Sequence, residues 1–248
     1  MITLDSMTNR DTAPDPKPWM LDKTLVLVTK DGTASTASSD PYDDVPLESE
    51  GNWEMLDEVI DECIESGLYA LDLETTGLDS RVFNGETRDR IVGICLSPDG
   101  EKGYYIPVRH KVGAEHNAPM SRVRSAMLRL TQSKSRAIFH NGKFDQAFLQ
   151  FNGGEAWGTW DKVSLWEDTL ILAYLRNSRS RNKGLKYLSE HELDMEMIEI
   201  YELFGHEKSK RGFNYDFSSL DPTDPSVIWY AASDAICTYQ LYQLLAPQ

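Results

Sequence analysis

The sequence has little of what builds soft-metal or disulfide sites. It holds three cysteines, Cys63, Cys95 and Cys237, and no CxxC pair. Its five histidines, at 110, 116, 140, 191 and 206, show no HxxxH spacing. Zinc sites are built from such closely spaced ligands, so nothing here suits a softer metal. Each cysteine sits in an apolar pattern, which points to reduced core residues in a cytoplasmic setting. No apolar run approaches about 18 residues, so no membrane-spanning helix is expected. Residues 1–20 are polar, carry three prolines and lack a signal-peptide core, and they read as disordered or extended. Internal repeats are absent. Positive charge is scarce too: 25 basic residues face 40 acidic ones, a net charge of −15. That balance is unusual for a nucleic-acid binder.

The charge deficit is uneven along the chain. Residues 1–66 carry 16 acids and 4 basic residues, whereas residues 67–248 carry 24 and 21. The body is therefore close to neutral. The segment from Arg176 to Lys186 holds five basic residues and no acid, and it could lie along phosphates. We divide the chain into an acidic extension, residues 1–50, with a possible strand near 24–29 and a Ser/Asp/Glu/Pro-rich linker over 33–51, and a main domain, residues 51–248. An amphipathic helix is expected from about Asn52, with Trp53, Leu56, Ile60, Cys63 and Ile64 on one face and Gly67 as its stop. Strands are expected at 68–73, 91–97, 103–108 and 137–140. Helices are expected at 120–132 and near 143–151, 168–176, 184–191, 194–204 and 224–245. The pattern is α/β, on a mixed sheet.

Three short carboxylate motifs stand on these elements. Asp72-Leu73-Glu74 ends an apolar strand, and alternation puts both acids on one face, about 7 Å apart along the backbone. They lie at the strand's carboxyl end, where open α/β sheets bind ligands. Asn141-Gly142-Lys143-Phe144-Asp145 follows a strand and opens a helix. Tyr230-Ala231-Ala232-Ser233-Asp234 lies in a helix, where i, i+4 spacing places Tyr230 and Asp234 on one face. Taken singly, each is more often a cap, a turn or an exposed helix pair. Together they supply four hard oxygen ligands of the kind Mg²⁺ or Mn²⁺ prefers. Two such ions about 3.5–4 Å apart can hydrolyse a phosphodiester.

In these motifs the chain resembles the proofreading 3′→5′ exonuclease domain of family A DNA polymerases, bacterial and phage. That domain belongs to the DEDD exonucleases, on a ribonuclease H-like mixed sheet flanked by helices. The segments Tyr105-Ile106-Pro107-Val108-Arg109-His110, Asp168 to Leu175 and Leu185-Lys186-Tyr187-Leu188 are similar as well. Tyr230 marks the tyrosine branch, because the histidine branch would place its histidine where Trp229 stands. The resemblance covers about Trp53 to Leu245. It implies that Asp72, Glu74 and Asp234 bind one divalent ion, that Asp72 bridges to a second, and that Asp145 acts through that second ion. Tyr230 would position the nucleophile. Thr75 would lie near the 3′ hydroxyl, Leu78 would wedge at the terminal bases, and Asn141, Lys143 and Phe144 would contact a single strand. For Leu78 and Phe144 core packing is the competing reading, and for Lys143 a solvated surface position.

The implied partners are the 3′ end of single-stranded DNA and a DNA polymerase, covalent or separate, with no membrane. No palm or fingers sequence follows the third motif. The implied product is nucleoside monophosphate. A ribonuclease D-like RNA exonuclease, which shares the same five residues, and a non-catalytic scaffold are the alternatives. Residues 205–223, with the aromatic run Phe213-Asn214-Tyr215-Asp216-Phe217, correspond in the family to a mobile loop near the substrate but are harder to align, and the first 50 residues have no counterpart there.

Overall fold

The computed structural model describes residues 14–30, 53–83, 86–151, 163–209 and 211–246. Its strands are β1 (Thr24–Leu27), β2 (Leu68–Thr75), β3 (Val82–Phe83), β4 (Glu86–Thr87), β5 (Ile91–Ser97), β6 (Lys102–Pro107), β7 (Arg136–Phe139) and β8 (Trp166–Asp168). Its α-helices are α1 (Glu54–Glu65), α2 (Met120–Gln132), α3 (Lys143–Phe151), α4 (Thr169–Arg176), α5 (Leu185–Leu193), α6 (Ile200–Leu203) and α7 (Pro225–Leu245).

Six strands form one mixed sheet in the order β1-β6-β5-β2-β7-β8. β5 runs antiparallel to both of its neighbours, while β2, β7 and β8 run parallel to one another. β1, from the acidic amino-terminal region, extends the sheet as a parallel partner of β6.

The alternation of β2 divides the core in two. Tyr69, Leu71 and Leu73 face one layer, where Leu56 and Ile60 of α1, Met127 and Leu130 of α2 and Phe148 of α3 cover them. Ala70 faces the other layer with Cys95, Tyr105 and Ile138, under Val227, Ala231, Ala235 and Ile236 of α7. Asp224 caps α7 by accepting from the Ser226 amide, and Pro225 opens it with its φ already set for a helix. The helix lies close against β6: a Cβ at Gly103 would stand 2.8 Å from the Ala232 carbonyl oxygen. Burial almost all round explains why α7 is apolar on every face.

Three expectations change. Residues 194–204 do not form one helix, because only Ile200–Leu203 is helical. Met195, Met197 and Ile198 instead bury as an irregular segment against the α7 layer. The amino-terminal stretch is not wholly extended, since Pro18–Asp22 forms a 3₁₀ turn with Met20 fully buried. Lys17 pairs with Glu196 at 2.7 Å, and the Trp19 indole donates to the Glu196 carbonyl. The short strand β8 and the β3–β4 pair were not anticipated. Residues 1–13 and the whole of the expected linker at 33–51 lie outside the described residues.

Candidate active site

Two adjacent strands and the face of α7 build the site. Asp72 and Glu74 lie on the α7 side of β2, and Asp72 pairs directly with Cys95 of β5. The register then shifts between Glu74 and Thr75, passing from Gly93 to Ile91. Irregularities of this kind bend a strand end and re-aim its side chains. Single ligand atoms from Asp72, Glu74 and Cys95 all lie within 4.8 Å of one another. One turn of α7 separates Tyr230 from Asp234, and both are buried.

Asp145 arrives from the other side of β2. It stands in the first turn of α3, just after a tight entry at Asn141, whose φ is +67°. Asp168 holds that entry: its carboxylate accepts from the amides of Asn141 at 3.0 Å and Gly142 at 2.9 Å, and also from Leu170. Gly142 must be glycine here, because a Cβ would stand 2.7 Å from that of Phe139.

The electrostatics show how crowded these acids are. Burial pushes the Asp72 carboxyl well above its ordinary range, and the charges of Asp145, Asp234 and Glu74 push it further, with Lys186 opposing. Glu74 is raised by burial and then by Asp234, again against Lys186. Burial lifts Asp145 to about 8, although the amides of Asp145 and Leu73 favour its charged form. Asp234 is raised by burial and held back by Lys186. Tyr230 is raised by burial and by the charges of Asp234, Glu74 and Asp72.

Among the described residues, Glu74 Oε1, Asp145 Oδ1 and Asp234 Oδ1 are buried with no hydrogen-bond partner. Buried polar atoms are rarely left so. Carboxylate oxygens left without a hydrogen bond, one of them 3.7 Å from the Lys186 ammonium, fit hard divalent cations, which take oxygen ligands and offset the mutual repulsion.

The other expected residues sit around this centre. Leu78, beyond the end of β2, is 86% exposed, so it is not core. Thr75 donates its hydroxyl to the Gly77 carbonyl at 2.7 Å. Asn141 and Lys143 are exposed at the entry to α3. Phe144 is half-buried, its ring centre 4.7 Å from that of Phe148, so core packing takes part of its surface.

Sequence reasoning did not place Lys186, Cys95, Asp168 or Phe217 at the site. Phe217 lies under Tyr230 with ring centres 5.8 Å apart. Pairing of β2 with β5 was the one signal that could have found Cys95.

Residues 52–248 match the family model described as 3′-5′ exonuclease, of the family A DNA polymerase type. The chain belongs to that family. Its curated relatives include DNA polymerase I of Borreliella burgdorferi, 26% identical over 191 residues. DNA polymerase I of Rhizobium leguminosarum is 26% identical over 212 residues. The matches cover 76% and 78% of this chain but only 18% and 19% of those proteins. Among solved structures, Trypanosoma brucei RNase D superposes with a TM-score of 0.55 at 15% identity, covering 79% of this chain and 62% of that one. The fold is thus the ribonuclease H-like sheet of the DEDD exonucleases. Members of this exonuclease family use divalent metal ions. No helix among the described residues is long and apolar enough to cross a membrane.

Proposed function

We propose that this chain is a metal-dependent 3′→5′ exodeoxyribonuclease. In this reading it removes nucleoside monophosphates from the 3′ end of single-stranded DNA and proofreads for a DNA polymerase. One observation carries it: half-buried Asp72 gathers with buried Glu74, Asp145, Asp234 and Tyr230, close enough for their charges to act on one another. Family membership and the polymerase I relatives support the choice of DNA.

Asp72, Glu74 and Asp234 would hold one Mg²⁺ or Mn²⁺, and Asp72 with Asp145 a second. When bound, such ions lower the pKa of a water and stabilise the leaving oxygen. The chain's own groups do the rest. Asp72 and Glu74 fix the ligand spacing through the strand, and Asp145 is fixed by the Asp168-clamped turn before α3. The Tyr230 hydroxyl orients the attacking water. Thr75 and Leu78 flank the end of β2, where the 3′ terminus and its base would rest, and Asn141, Lys143 and Phe144 would guide the strand behind it. The main domain, residues 51–248, carries this activity, with residues 1–50 as an acidic extension to it.

Digestion of matched 5′-labelled single-stranded DNA and RNA tests the reading, with matched and mismatched primer termini as a second arm. Shortening of DNA from its 3′ end with release of monophosphates, faster at a mismatch, is the expected result. Preferential digestion of RNA would assign the chain to ribonuclease D-like chemistry instead.

A further inference from the structure

Lys186 is the second residue of α5. Its sequence context is the run of five basic residues read above as able to lie along phosphates. Its neighbour Lys183 is buried, turning back to the Ser180 carbonyl at 2.7 Å and lying over the Tyr174 ring. Lys186 points the other way. Its Nζ donates to the Ile198 carbonyl at 2.6 Å. It also stands 4.2 Å from the centre of the Tyr230 ring and 3.7 Å from Asp234 Oδ1. Three segments therefore hold one ammonium group: α5, the irregular stretch before α6, and the functional face of α7. A cation over an aromatic face is attracted to it, and a cation beside crowded buried carboxylates offsets their repulsion.

We propose that Lys186 is a positioning residue of the site. It holds the Tyr230 ring and Asp234 in place, and its charge is the resident cation against which a divalent ion must compete. Lys186 therefore sets the metal affinity of the centre. This rests on the reading that the acids bind metal. It makes removal of the charge strengthen metal binding, whereas loss of a merely structural residue would leave that binding unchanged or weaken it.

Calorimetric titration of Mn²⁺, without nucleic acid, into wild type, Lys186→Met and Lys186→Arg tests the inference. Lys186→Met should bind Mn²⁺ about three- to tenfold more tightly. Lys186→Arg, which keeps the charge, should stay near wild type. The melting-temperature gap between Mn²⁺ and EDTA should widen in Lys186→Met. If that variant does not fold without metal, Lys186→Gln, which keeps a polar head, is titrated in its place and read in the same way. Unchanged or weaker Mn²⁺ binding by the uncharged variant overturns the role given to Lys186 and leaves the metal site standing. A wild type that takes up no Mn²⁺ defeats the metal reading itself.

Discussion

Leu71 and Asp72 are neighbours on one strand and live in different worlds. Leu71 faces α1, α2 and α3 in a layer of apolar side chains. Asp72 faces α7, where the apolar layer gives way to carboxylates, and burial followed by the charges of Asp145, Asp234 and Glu74 raises its pKa. One face of the sheet holds the molecule together. The other gives up stability at its carboxyl end to assemble a charge cluster. The strand's period of two is what lets both demands be met within eight residues.

The pair can be broken from either side. Leu71→Ala should destabilise the protein by about 2–5 kcal/mol, read by urea unfolding, because it opens a cavity in a filled layer. Asp72→Asn should do the reverse in metal-free buffer, adding about 1–2 kcal/mol by relieving like-charge crowding. The same variant should lose the stabilisation that Mg²⁺ gives wild type. Equal losses in both variants would mean that the two faces do not differ as described. Tyr230→Phe leaves the fold intact and should slow hydrolysis about 10²-fold, measured under single-turnover conditions. An unchanged rate would remove the hydroxyl from the mechanism.

A gentler probe lies further along the α7 face. Burial lowers His110 to about 4, against the favourable Leu220 carbonyl and the charges of Asp221 and Asp216. Its ring also contacts the Tyr105 hydroxyl and the Phe217 ring. Its folded pKa is depressed, so its contribution is present above about 6.5 and is lost as pH falls toward 4. His110→Gln should flatten that part of the stability profile. A slope identical to that of wild type would place the loss elsewhere. The smallest effect is expected at Leu78: Leu78→Ala should change stability by less than about 0.5 kcal/mol, because the side chain is exposed. A drop in digestion rate with no change in melting temperature would fit a contact with the terminal base.

The sequence made much of this legible, for a local reason. Alternation across residues 68–75 gives both the core face and the acid face, and i, i+4 spacing puts Tyr230 beside Asp234. What stayed hidden depends on contacts between distant segments. Lys186 is one of five basic residues in its run, and nothing local tells it from Lys183. Only the packing of α5 on α7 turns it inward. Residues 195–198 carry apolar side chains that suit a helix, yet they bury against α7 as an irregular segment, and the Ile198 carbonyl accepts from Lys186. Asp168 reads as an ordinary helix cap until the parallel pairing of β7 with β8 brings it to the Asn141 turn.

The most direct measurement is 3′→5′ digestion of 5′-labelled single-stranded DNA by wild type and Asp72→Ala, each with Mg²⁺ and with EDTA. A ladder shortening from the 3′ end should appear only for wild type with Mg²⁺, while Asp72→Ala keeps its fold by circular dichroism. A ladder in EDTA, or one from Asp72→Ala at the wild-type rate, would contradict a metal centre built on these acids.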